Sequence, residues 1–186
     1  KTRNLLRELI ESDKPSVGTR LFTVWPGMAE VVGYSRAMDY IEFSGQYAPY
    51  DLFALENFAR AIDMFDDMSS MMKLDQEPRT FLAERAVGAG IQNLLFADIR
   101  SKEDAEHVVA AMKPDTPDLS GNVGIGPLRD MGYVYPDGLG QGDFVEKRDR
   151  GVVALMIEKK DAVDRLGEIF SVDGIDMVQF GASDYS

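Results

Sequence analysis

Apolar runs of strand length alternate with stretches of helical spacing along most of the chain. The order begins with a short amphipathic helix in "KTRNLLRELIESDKP", stopped by Pro15. Strands are then expected at 17–25, 38–43, 71–74, 91–99 and 151–158, with a strand and loop at 175–184. Between them the pattern predicts helices over 27–37, 52–65, 77–90, 101–113 and 160–171. Local punctuation supports several of these. Ser101 with acids in the next turn opens one helix, and Pro78 near the first turn with Gly90 after the last brackets another. The run "GVVALMIE" is almost wholly apolar, as a strand buried on both faces requires.

About six β-then-α units imply a parallel α/β class in one domain over 1–186. A doubly wound sheet and a (β/α)8 TIM barrel both satisfy the alternation. No glycine-rich phosphate turn follows the first strand, where "TVWPGMAE" stands, which disfavours the nucleotide-binding sheet. A whole barrel takes about 250 residues, so the last βα units are expected to be missing from this chain. Residues 114–150 are rich in Gly, Pro and Asp with little periodicity. They read as an excursion, either a lid or subunit contact or a surface loop without a role.

Composition narrows the chemistry. The 186 residues include 32 Asp and Glu against 20 Lys and Arg, for a net charge of −12. Such a surface repels phosphate backbones, so no nucleic-acid partner is expected. No apolar run approaches the roughly 18 residues that cross a bilayer, and no leader pattern stands at the start. With no cysteine, disulfides and thiolate chemistry are excluded, and a cytoplasmic location is expected. An acidic protein that takes an anionic substrate needs a local positive centre, and a metal ion is one supplier.

In parallel α/β folds the site lies at the carboxyl ends of the strands. The residues there are Ser44 to Tyr47 after strand two, Lys73 and Asp75 at strand three, Asp98 after strand four, Glu158 after the apolar run, and Gly181 to Asp184 at the end. Glu158 and Asp184 would follow neighbouring strands. Two hard oxygen ligands so placed suit Mg2+ or Mn2+, with water and substrate completing the shell. The same spacing is also met by acids that only cap strands, or by Glu158 pairing with Lys159 or Lys160.

Several stretches, in order from about Val17 to the end, resemble the HpcH/HpaI aldolase family of metal-dependent class II barrels. They are "KPSVGTRLF", "MDYIEFSGQYAPYD", "ERAVGAGIQNLLFADIRSKEDAEHVVAAMK" and "ALMIEKKDAVDRLGEIFSVDGIDMVQFGASDYS". The resemblance implies that Glu158 and Asp184 hold the divalent metal. It implies that the backbone of Gly181, Ala182 and Ser183 meets the substrate carboxylate, with Gln46 beside it. It implies a carbon–carbon lyase acting on a small 2-oxo or hydroxy carboxylic acid, and a homo-oligomer. The departures are as informative. The family's histidine base falls on Tyr47, the preceding glutamate on Gln46, the orienting aspartate on Ser44, the strand-three arginine on Lys73, and a glutamine on Met156. Tyr47 is then an acid, a base with a depressed pKa, or a loop aromatic on Pro49. Lys73 is a cation for the developing enolate; a Schiff-base lysine is the lesser reading. A hydratase or decarboxylase on the same metal site, or a catalytically degenerate binding or assembly protein, are the alternatives. His107, the sole histidine, is given no catalytic role, and Trp25 is expected in the core or lining the site.

Overall fold

A computed structural model describes residues 3–124, 126, 129, 133 and 140–185. Its elements run α1 (Leu5–Glu11), β1 (Gly18–Leu21), α2 (Pro26–Ser35), β2 (Tyr40–Ser44), α3 (Leu52–Ile62), β3 (Ser69–Leu74), α4 (Arg79–Ala89), β4 (Asn93–Phe96) and α5 (Lys102–Met112). They continue with α6 (Gln141–Asp149), β5 (Val153–Ile157), α7 (Lys160–Asp164), α8 (Leu166–Ile169) and β6 (Met177–Phe180). Among the described residues the six strands form one sheet in the order β1-β2-β3-β4-β5-β6, every pair parallel.

That unbroken order separates the two architectures, because a doubly wound sheet reverses its order at a switch point. A second observation shows that the sheet curls. Neighbouring strands lie about 4.8 Å apart, so five steps across a flat sheet would separate β1 from β6 by roughly 24 Å. Yet Arg20 Nη2 on β1 donates to Gln179 Oε1 on β6 at 3.2 Å. The sheet is therefore a parallel half-barrel, and its concave face is a lumen.

Alternation along each strand divides the apolar side chains between two cores. Ile41, Phe43, Met72, Leu74, Leu94, Phe96, Leu155 and Ile157 face the helices and pack on Leu55, Phe58, Ala83, Val108 and Ile169. Tyr40, Met71, Leu95, Ala154 and Met156 face the lumen, where Leu6 of α1 joins them. α1 thus stoppers the amino end of the half-barrel and leaves the carboxyl end open.

A buried amide network fixes the stopper. Asn4 Nδ2 donates to Asn93 Oδ1 at 2.7 Å, and Asn93 Nδ2 returns a bond to Asn4 Oδ1 at 3.2 Å. Ser69 Oγ donates to Asn4 Oδ1, while Asn93 Oδ1 also accepts from the Val152 N–H at 2.9 Å. Asn93 is fully buried. Replacing Asn93 by Leu leaves the Val152 N–H, one amide hydrogen of Asn4 and the Ser70 carbonyl without the partner they had, so a loss of about 2–4 kcal/mol is expected in urea unfolding.

Four sequence expectations are revised. β1 covers only 18–21, and Trp25 lies beyond it as the N-cap of α2, 61% exposed and outside both cores. The expected helix at 160–171 is two, α7 and α8, parted at Arg165. The segment 114–150 contains α6, opened where Asp143 Oδ2 accepts from the Gly140 N–H. Phe144 is the lone buried apolar side chain of α6, so no helical stripe marks it. The remainder of that segment falls largely outside the described residues.

Candidate active site

The open end of the lumen holds a cavity of about 420 Å³, whose walls include Arg20, Tyr47, Lys73, Gln179 and the turn Gly181–Asp184. Each comes from the carboxyl half of a strand or the loop after it.

Lys73 ends the inward-facing row of β3, in register with Ser44 on β2 and Leu95 on β4. It is 2% exposed. Desolvation lowers its pKa from the ordinary lysine value, opposed by the nearby carboxylate of Glu158. Its Nζ stands 5.0 Å from the centre of the Tyr47 ring, a cation–π distance. Tyr47 itself is largely exposed at the rim. Its hydroxyl pKa is raised, first by desolvation and then by the negative charges of Asp184 and Glu158. Those charges hold the hydroxyl protonated, which speaks against a tyrosine base and leaves a proton donor or a loop aromatic on Pro49. Beside Tyr47, Ser44 Oγ and Gln46 Oε1 are buried without a hydrogen-bond partner among the described residues.

Glu158 follows β5 and is 4% exposed. Its Oε1 accepts the backbone N–H of Asp98 at 2.8 Å. Asp98 delivers that N–H from a left-handed conformation, φ 52°, held by Arg100 on its carboxylate and by Arg79 on its carbonyl. Strain of this kind concentrates at functional sites. On its other side Glu158 meets Gly181, where an added Cβ would sit 2.7 Å from the Glu158 Cβ and 3.1 Å from Oε2. Only glycine allows that approach. Three residues on, Asp184 closes the turn with its N–H on the Gly181 carbonyl, while Lys159 Nζ donates to the Asp184 carbonyl at 3.0 Å. Glu158 and Asp184 both act electrostatically on Tyr47 and on Lys73, so the four side chains share one neighbourhood.

The alternative pairing of Glu158 with Lys159 or Lys160 is not seen. Lys159 reaches the Asp184 carbonyl, and Lys160 pairs with Asp164. Among the described residues no basic group forms an ion pair with Glu158. Nor does any cluster of three or more Asp, Glu or His there cage an ion. The donor set is two carboxylates at an open mouth, which fits a hard divalent cation finished by water and substrate oxygens. His107 lies outside, on α5, where its Nε2 meets Thr80 Oγ1 at 3.0 Å.

Sequence reasoning missed Arg20 and Glu42. They are register partners on β1 and β2, joined at 2.7 Å between Nε and Oε1. The signal was one charged residue inside each of two apolar strands, of opposite sign.

Comparisons with known proteins agree with this architecture. The chain is 27% identical over 173 residues to the hydroxypyruvate/pyruvate aldolase of Roseovarius nubinhibens, covering 90% of this chain and 64% of that protein. It is 25% identical over 191 residues to the 4-hydroxy-2-oxo-heptane-1,7-dioate aldolase of Salmonella dublin, covering 99% and 67%. It thus spans about two thirds of the length of these relatives. The fold superimposes with a TM-score of 0.86 on a crystal structure of an HpcH/HpaI aldolase/citrate lyase family protein from Burkholderia cenocepacia. That match is 23% identical and covers 98% of this chain and 70% of the other. Residues 28–186 match the profile of the HpcH/HpaI aldolase/citrate lyase family, and the chain belongs to that family.

Proposed function

We propose that this chain carries the site of a divalent-metal-dependent carbon–carbon lyase whose substrate is a small 2-oxo or hydroxy carboxylate. The observation that carries the reading is Glu158, a buried carboxylate with no ion-pair partner among the described residues, held by the Asp98 N–H against Gly181, whose turn to Asp184 lines the cavity. Mg2+ or Mn2+ held by this pair would supply a Lewis acid for the 2-oxo group. The protein's own groups do the rest. The backbone of Gly181, Ala182 and Ser183 receives the substrate carboxylate. Lys73, desolvated and cationic, offsets negative charge as it develops on the keto oxygen. Tyr47, its hydroxyl held protonated, gives a proton to carbon, while solvent water at the open mouth takes the proton of the departing hydroxyl and restores that of the phenol. Gln46 Oε1 and Ser44 Oγ offer hydrogen bonds that no group among the described residues takes up.

The relatives named above are aldolases of hydroxypyruvate/pyruvate and of a 4-hydroxy-2-oxo diacid, which supports the same reaction class here. Homo-oligomeric assembly and a cytoplasmic setting belong to the proposal as well. Among the described residues no helix is long and apolar enough to cross a membrane.

The test is titration calorimetry with Mn2+, followed by a screen of 4-hydroxy-2-oxo acids for release of pyruvate or aldehyde. Metal-dependent release is the expected result, and failure to bind the metal would refute the reading. Tyr47→Phe is expected to lower kcat by about 10–100-fold with little change in KM. A silent Tyr47→Phe would mean the ring only packs in the loop.

A further inference from the structure

The Arg20–Glu42 pair is not used by the mechanism above, yet Arg20 lines the same cavity. The guanidinium is anchored twice, by Nε on Glu42 Oε1 at 2.7 Å and by Nη2 on Gln179 Oε1 at 3.2 Å. Arginine has five N–H donors, so further ones remain for a ligand. Its side chain is 38% exposed, whereas that of Glu42 is 4% exposed. A carboxylate so buried must be balanced, and Arg20 is its ion-pair partner. Arg20 is therefore a hydrogen-bond donor whose charge is already spent.

The charges around the mouth point the same way. Lys73 and Arg20 face Glu42, Glu158 and Asp184, two cations against three carboxylates. A divalent ion would turn that balance to one positive charge, which the carboxylate of a 2-oxo acid cancels. A second substrate carboxylate would stand without a counter-charge.

We infer that Arg20 is a specificity-determining residue that donates to an uncharged oxygen at the end of the substrate remote from the 2-oxo acid. Glu42, by cancelling the guanidinium charge, sets the site for monocarboxylates over dicarboxylates. This rests on the reading under Proposed function and names the substrate class of that site. Selectivity of this kind is a difference between two affinities, and here the repulsive element is a balanced charge rather than a clash.

The experiment compares two 4-hydroxy-2-oxo acids of equal chain length, one ending in a hydroxyl and one in a carboxylate. kcat/KM with Mn2+ is measured for both, and calorimetric binding of pyruvate and of 2-oxoglutarate is measured without turnover. The unsubstituted protein is expected to favour the monoacid. Glu42→Gln keeps a hydrogen-bond acceptor for Arg20 and releases its charge, so the preference is expected to shift toward the diacid by about tenfold. Arg20→Gln leaves Glu42 unbalanced and is expected to widen the preference by a similar factor. Opposite shifts exclude a general loss of fold as the cause, and either variant alone decides the sign if the other does not fold. A preference unchanged in both variants, or a diacid preference in the unsubstituted protein, overturns the inference. If no 4-hydroxy-2-oxo acid is cleaved while the binding preferences measured with Mn2+ shift as stated, the lyase reading falls and this inference stands. Metal-dependent cleavage with unchanged preferences gives the converse.

Discussion

Glu158→Gln is expected to abolish calorimetric Mn2+ binding and to lower kcat/KM by about 10³-fold or more. The substitution is nearly isosteric. Its Oε1 can still accept the Asp98 N–H, so the strand end keeps its shape. What disappears is one of two anionic ligands, and two carboxylates are all the described site offers. The fold should be little affected, because the variant keeps the side-chain volume and the bond to the Asp98 N–H. A thermal melt close to that of the unsubstituted protein, together with lost metal binding, is the expected signature. Retained Mn2+ affinity in the variant would remove the metal pair from the account.

Lys73→Met is the second large effect, and its two readouts move in opposite directions. Activity should fall by about 10²–10³-fold, the size of losing a preorganised charge stabiliser. Stability should rise, because Met fills the same volume without the desolvation that pushes the lysine pKa down. The pH dependence has a defined sign. The folded state holds the Lys73 proton more weakly than the unfolded chain. Between the lowered pKa and the ordinary value near 10.5, the unfolded chain binds more protons, so stability rises with pH across that window. The burden of burying the ammonium is complete below the folded pKa and fades as pH climbs through the window. The working form is the cation, so the alkaline limb of kcat/KM should fall at a pH below that of a free lysine. It should be missing from the residual activity of Lys73→Met. An alkaline limb identical in the variant would assign that ionisation elsewhere.

Strand ends were the legible part of this sequence. A buried apolar run can have only its last residue at the mouth, so Glu158 stood out from a chain crowded with acids. The parallel class was equally plain from alternation. The choice of a barrel over a doubly wound sheet was legible only through the missing glycine-rich turn and the family resemblance, because alternation alone does not reveal the contact between β1 and β6, residues 159 apart in sequence. Arg20 and Glu42 escaped for a related reason. Each is a single charged residue in an apolar strand, and only their shared register turns two anomalies into one ion pair. Trp25 was assigned by its hydrophobicity to an interior it does not occupy, since Pro26 turns the chain into α2 there. α6 has too little buried apolar surface to leave a periodic trace.

The helix that stoppers the lumen also carries a consequence for synthesis. Arg7 grips the Asp176 carboxylate through both terminal nitrogens and the Gly151 carbonyl through one of them, while Asn4 reaches the Arg150 carbonyl. Those partners are 144 to 169 residues downstream. The helix leaves the ribosome well before residues 150–176, so it cannot complete its seat until they have followed and it docks late.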